Sequence, residues 1–155
     1  MQRSILLIFL LALIPLLSHG QQVTKKDGKY YIGEGKLYTG VHEKHYENGN
    51  LKATIKVEDG LLGGKSVFYF EDGTKKEIRS YKDGKMHGVW KTWNKAGVKV
   101  ARAVYKNGKK NGTWKIWDDT GTLRFKMTYK NGEKSGTWYN YDESGELVNT
   151  RKFEE

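Results

Sequence analysis

The 155-residue sequence contains no cysteine. Its absence removes disulfides, thiol catalysis, thiolate metal sites and a lipid-modified N-terminal cysteine together. Proline occurs once, at Pro15, so no later strand is barred from a hydrogen-bonded ladder on that ground. Serine is scarce beyond the first 20 residues and no histidine has an obvious nucleophile partner, which leaves no constellation for covalent catalysis. Arginine is rare as well: only Arg3, Arg79, Arg102, Arg124 and Arg151 among 28 basic residues. Lysine is the poorer group for bidentate phosphate or base recognition, so nucleic acid is a disfavoured partner despite a net charge of +10.

Long apolar runs are confined to the N-terminus. Met1 to Ser4 carries one positive charge, Ile5 to Leu17 is almost wholly apolar, and Ser18-His19-Gly20 places small residues three and one positions before Gln21. This is the layout of a secretory signal peptide, residues 1–20, with cleavage expected after Gly20. The run is shorter than the roughly 20 residues of a membrane-spanning helix, which disfavours an uncleaved anchor. Losing Arg3 and no acid, the mature chain would carry +9. Export without disulfides fits a bacterial envelope, so the expected location is the periplasm or the extracellular space. A basic protein there meets lipid headgroups, acidic glycans and acidic proteins.

What the sequence has in abundance is a period. Gly40, Gly64, Gly88, Gly112 and Gly136 lie 24 residues apart, as do Gly49, Gly73, Gly97, Gly121 and Gly145. Gly60, Gly84, Gly108 and Gly132 form a third series. The aromatics keep the same time. Two positions after the first glycine stand His42, Ser66, Trp90, Trp114 and Trp138; five after it stand His45, Tyr69, Trp93, Trp117 and Tyr141. Seventeen after it stand Val57, Tyr81, Tyr105, Tyr129 and Phe153. Such self-similarity marks a repeat architecture, here five units at 40–63, 64–87, 88–111, 112–135 and 136–155. They follow a partial unit at 21–39, where Tyr30 to Gly35 resembles the second half of a repeat.

Each unit reads as two short strands and two turns. Asn48-Gly49, Asp59-Gly60, Asp72-Gly73, Asp83-Gly84, Asn107-Gly108 and Asn131-Gly132 are turn dipeptides in which both residues tolerate positive φ. In later units the first turn, such as Asn94-Lys95-Ala96-Gly97, suits a type I turn closed by a bulge glycine. Leu123, Phe125, Met127 and Tyr129 alternate with Arg124, Lys126 and Thr128, the period of a half-buried strand. Lys75, Glu77 and Arg79 interrupt this apolar face, so the second strand of repeat two is expected to be poorly buried. The fold class is all-β: an elongated single-layer antiparallel meander of about five hairpin repeats. Some ten strands at ~4.8 Å spacing give a ribbon of about 50 Å, held by each hairpin packing on its neighbours.

The unit G-x-W-x-x-[WY]-x-x-x-G, followed by a strand ending in Y-x-[DN]-G, resembles the MORN-repeat variant family, including bacterial YwqK-family antitoxin-like proteins. The resemblance runs from about Tyr30 to Phe153. It implies a non-catalytic β-hairpin scaffold; such bacterial proteins are commonly labelled antitoxins of toxin–antitoxin systems, and related repeats are linked with phospholipid binding and with protein assembly. No cofactor is implied.

Two groups of residues are candidates for binding. In a single-layer sheet the aromatic columns, Tyr69, Trp90, Trp93, Trp114, Trp117, Trp138 and Tyr141, are expected to stack along one face. There they either receive a peptide or a sugar ring or simply form the core of so thin a ribbon. The second-turn edge is basic: Lys82, Lys85, Lys106, Lys109, Lys110, Lys130 and Lys134. It suits an anionic membrane surface, an acidic glycan or an acidic protein, or it merely solvates the turns. His42 and His45 form H-x-x-H, but a spacing of three puts them on opposite faces of a strand and no third ligand follows, so no metal is expected. His87 is expected to be solvated in its turn. A protein partner is the leading expectation, and the open ends of the ribbon permit self-association.

Overall fold

The computed structural model describes residues 22–154; the expected leader and its cleavage point lie outside the described residues. Every regular element among them is a strand. The chain runs through β1 (Val23–Lys26), β2 (Lys29–Ile32), β3 (Lys36–Leu37), β4 (Gly40–His45), β5 (Leu51–Glu58), β6 (Leu61–Leu62), β7 (Gly64–Tyr69) and β8 (Lys75–Lys82). It continues with β9 (Lys85–Met86), β10 (Gly88–Trp93), β11 (Lys99–Lys106), β12 (Lys109–Lys110), β13 (Gly112–Trp117), β14 (Leu123–Lys130), β15 (Glu133–Tyr141) and β16 (Leu147–Phe153).

One open antiparallel sheet carries the repeats, in the order β4-β5-β7-β8-β10-β11-β13-β14-β15-β16, with β6, β9 and β12 pairing back onto β5, β8 and β11. This is the expected meander. Each second turn is a two-residue turn with both residues at positive φ: 48° and 76° at Asp59-Gly60, 51° and 84° at Asn107-Gly108. Such turns match the right-handed twist of the strands they join. They also stack on each other. The N–H groups of Gly60, Gly84, Gly108 and Gly132 donate to the carbonyls of Tyr38, Leu62, Met86 and Lys110 in the preceding unit, at 2.8–2.9 Å.

Asn48-Gly49 and Asp72-Gly73 depart from the dipeptide expectation. Gly49 donates to Tyr46 O and Gly73 to Phe70 O at 3.0 Å, the same four-residue turn that Gly97 makes with Asn94. A register shift follows in each hairpin, between Lys44 and His45, Phe68 and Tyr69, and Thr92 and Trp93. The reason is the extra bulge residue, which lets a type I turn close a twisted hairpin.

The tightly buried core is small and lies at the N-terminal end. Tyr30, Ala53, Ile55 and Val57 are buried, with Val23, Tyr38, Leu62 and Phe68 packed beside them. The three-stranded sheet β1-β2-β3 supplies Val23 and Tyr30, and Tyr30 bonds through its N–H to Gly60 O at 2.8 Å. Gly60 must be glycine: a Cβ there would lie 2.6 Å from Leu37 Cδ2 and 3.1 Å from Tyr30 O. Tyr30 therefore fills, beside His42, the place that the Tyr column fills beside Trp in later units, with ring centroids 5.9 Å apart.

Repeat two is better buried than its sequence suggests. Glu77 and Arg79 are half-buried, with side-chain exposures of 16% and 37%, and pair at 2.7 Å. The physical reason is Ser66, which stands where the three later units have tryptophan and leaves room for the guanidinium.

Candidate functional site

The pleat of each first strand separates the two aromatic columns. Side chains two and five positions after the repeat glycine differ by an odd number, so they point to opposite faces. The expectation of one shared aromatic face is thus corrected: Trp90, Trp114 and Trp138 lie on one side, and Tyr69, Trp93, Trp117 and Tyr141 on the other.

On the first face the tryptophans interleave with the Tyr column to form a continuous ladder. Ring centroids are separated by 5.5 Å from Tyr81 to Trp90, 4.9 Å to Tyr105, 5.1 Å to Trp114 and 5.2 Å to Tyr129. The series ends with 5.2 Å to Trp138 and 4.8 Å to Phe153. Tilted and edge contacts at these distances are those that aromatic quadrupoles favour. All seven rings are half-buried. Burial raises the Tyr105 phenol above its ordinary pKa, with a smaller contribution from the nearby Glu77 charge.

Tryptophan is needed here for its N–H as well as its area. Between Met86, opposite Tyr81, and Lys91, opposite Ile78, the chain bulges at Gly88, whose φ is 82°. The indole N–H of Trp90 reaches across and donates to Ser80 O; Trp114 does the same to Val104 O and Trp138 to Thr128 O, each at 2.9 Å. His87 sits in that bulge half-buried, its backbone N–H on Ser80 O at 2.9 Å and its Nδ1 3.3 Å from Asn107 Oδ1, so it is not the solvated turn residue expected.

The basic edge divides as well. Lys82, Lys85, Lys106, Lys109 and Lys130 are exposed residues at the strand ends that flank the two-residue turns. Lys110 instead folds over the rings of Trp114 and Tyr129 at 4.7 and 4.8 Å, and Lys134 over Trp138 and Phe153 at 5.0 and 5.3 Å. Their column holds Leu62 and Met86 in earlier units, so the cations continue an apolar packing position. Arg79 likewise lies 4.6 Å from Phe68 and 5.3 Å from Trp90.

On the opposite face the second aromatic column meets lysine rather than other rings. Lys75 lies 5.7 Å from the Trp93 centroid and Lys99 4.4 Å from that of Trp117. His42 and His45 are separated by the same pleat; burial and the neighbouring Lys44 lower the pKa of His42. Among the described residues no group of three His, Asp or Glu side chains comes together as a metal would require.

Three stretches match the MORN repeat variant. They are residues 38–59, 62–83 and 110–131. Each begins on the Tyr38, Leu62 or Lys110 column that accepts the turn-glycine bond and ends on the first residue of a two-residue turn. Outside those matches the unit at Gly88 folds in the same way, and the unit at Gly136 keeps the hairpin β15-β16. Such repeats are generally non-catalytic binding units. No curated protein matches the chain.

Proposed function

We propose that the protein is an exported, non-catalytic MORN-type scaffold that binds a protein partner on the face carrying the Trp/Tyr ladder. One observation carries this reading. Where the chain's own hairpin β1-β2 lies on that face, over Ala53, Ile55 and Val57, it produces the tightly buried core; from Tyr81 to Phe153 the same face is only half-buried. The ladder is a surface built to accept a layer of polypeptide, and aromatic rings are enriched at the centres of protein interfaces. Phe125, 42% exposed on this side, extends it. A toxin-like partner, as the antitoxin resemblance implies, is one case of this reading.

The test is affinity capture from a bacterial envelope fraction with wild-type protein and with the double variant Lys110→Glu, Phe125→Asp. Both positions are exposed. The variant is expected to fold and to lose the proteins retained by wild type. An unchanged set of captured proteins removes the ladder as the binding face.

A further inference from the structure

The face opposite the ladder carries a row of like charges. Lys91 stands directly opposite Arg102, Arg102 opposite Lys115, and Lys115 opposite Lys126, across the adjacent strands β10, β11, β13 and β14. Directly opposed side chains in an antiparallel sheet have Cβ atoms about 4.5–5.5 Å apart, where like charges destabilise the pair. None of the four makes an ion pair among the described residues, and the positions that continue the row, Ile78 and Val67 on one side and Tyr139 and Thr150 on the other, are uncharged; Glu133, an acid on this face, stands opposite Lys130 beside the second turn. A sheet needing only solubility would alternate the signs here.

The same face bears Trp93 and Trp117, two residues along their strands from Lys91 and Lys115, and Tyr141, two residues from Tyr139, which follows Lys126 across the sheet. The two tracks run side by side along the ribbon with different periods. Cations recur once per strand, every ~4.8 Å, and rings once per repeat, every ~9.6 Å. Lys75 and Lys99, which lie near two of the rings, are exposed and free to swing aside. At the row's N-terminal end lies a shallow cavity of about 480 Å³ lined by Lys65, Ile78, Ser80, Val89, Lys91 and Arg102.

We infer that this face binds a linear acidic glycan of the polyuronate type. In such a polymer every sugar carries a carboxylate, and in an extended twofold chain one ring face and one carboxylate per disaccharide turn to the same side. Rings on this face recur at that interval, once per two strands, so each carboxylate turned to the row meets two of its cations. Single-stranded nucleic acid offers one base per phosphate, and its successive bases would find a ring only at every second strand. The glycan's C–H faces stack on Trp93, Trp117 and Tyr141, its carboxylates meet the row, and the like-charge repulsion of the free protein is relieved on binding. This surface is distinct from the ladder, so either assignment can fail alone.

The test is titration of the full chain with polygalacturonate at low salt, beside neutral dextran, single-stranded DNA and phosphatidylglycerol vesicles. Polygalacturonate is expected to bind with an affinity that falls steeply as salt is added. The variant Lys91→Gln, Lys115→Gln, which removes both neighbours of Arg102, is expected to bind at least tenfold more weakly while its thermal midpoint stays level or rises. The edge variant Lys106→Gln, Lys130→Gln removes the same charge and keeps wild-type affinity. Equal losses in the two variants, undiminished binding by the row variant, or tighter binding to DNA or vesicles than to polygalacturonate would each overturn the assignment.

Discussion

The indole N–H of Trp90 and the backbone carbonyl of Ser80 meet at 2.9 Å across the bulge that Gly88 opens between neighbouring repeats. The same bond recurs from Trp114 to Val104 and from Trp138 to Thr128. It makes tryptophan the ring that both fills the ladder and ties one repeat to the next. Phenylalanine could do the first but not the second.

Trp114→Phe is therefore expected to lower stability by about 1 kcal/mol, the usual net worth of one such bond. Val104 O keeps its bond from Asn111 N–H, so no carbonyl is left wholly unpaired. Trp117→Phe removes an indole with no backbone bond among the described residues, and its loss should be smaller. Urea unfolding followed by fluorescence compares the two; equal losses would assign Trp114 to packing alone.

The two-residue turns predict a different pattern. Asn107 sits at φ 51°, a left-handed conformation that costs a residue with Cβ roughly 1–2 kcal/mol and a β-branched one more. Asn107→Gly should leave stability level or slightly improved, and Asn107→Val should reduce it by more than about 1 kcal/mol. Equilibrium denaturation of both variants decides the point, because a solvated turn without conformational demand would tolerate valine.

These turns were legible in the sequence because glycine after Asp or Asn at a fixed period has a direct backbone meaning. So were the open meander and the ten strands of its main path, though not the short strands β6, β9 and β12 that pair back onto it or the separate sheet β1-β2-β3. Sidedness was legible within a strand, because the spacing of three that puts His42 and His45 on opposite faces separates Trp90 from Trp93 as well. The row from Lys91 to Lys126 joins residues 11, 13 and 11 positions apart, two pairs within repeats and one between them, and only the register aligns them. The burial of Arg79 is hidden in the sequence for a related reason, since the space it fills depends on Ser66 across the strand.

The first-turn edge makes a prediction in acid. Hydrogen bonds from Thr74, Thr120 and Ser144 hold the carboxyls of Asp72, Asp118 and Asp142 below their ordinary pKa. A carboxyl with a depressed folded pKa stabilises the fold fully above its unfolded value of about 3.9, and that contribution is lost as pH falls through the lower folded value. The thermal midpoint is thus expected to be flat from neutrality to about pH 5 and to drop below about pH 4. Asp118→Ala, Asp142→Ala should start lower at neutral pH and show a shallower acid drop. A parallel curve for the variant would assign the acid loss to other groups.

Repeat two offers a test of the ladder as a design rule. Ser66 is 1% exposed and stands opposite Arg79, whose guanidinium fills the space of an indole and pairs with Glu77. Ser66→Trp alone should overpack this site and cost about 1–3 kcal/mol. Arg79→Ala alone strands the half-buried Glu77 carboxylate and should cost at least as much. The triple variant Ser66→Trp, Glu77→Ala, Arg79→Ala recreates the side chains of the Trp90 unit, where Ala101 and Ala103 face the ring. The introduced indole could then donate to Lys56 O, the carbonyl equivalent to Ser80 O that already accepts from Gly63 N–H at 3.1 Å. Since the three positions touch, their effects should not add: the triple variant should regain wild-type stability or exceed it. If thermal unfolding shows the losses simply summing, the Trp/Tyr ladder is not a transferable unit, and the Arg79–Glu77 pair is an independent solution to the core of that repeat.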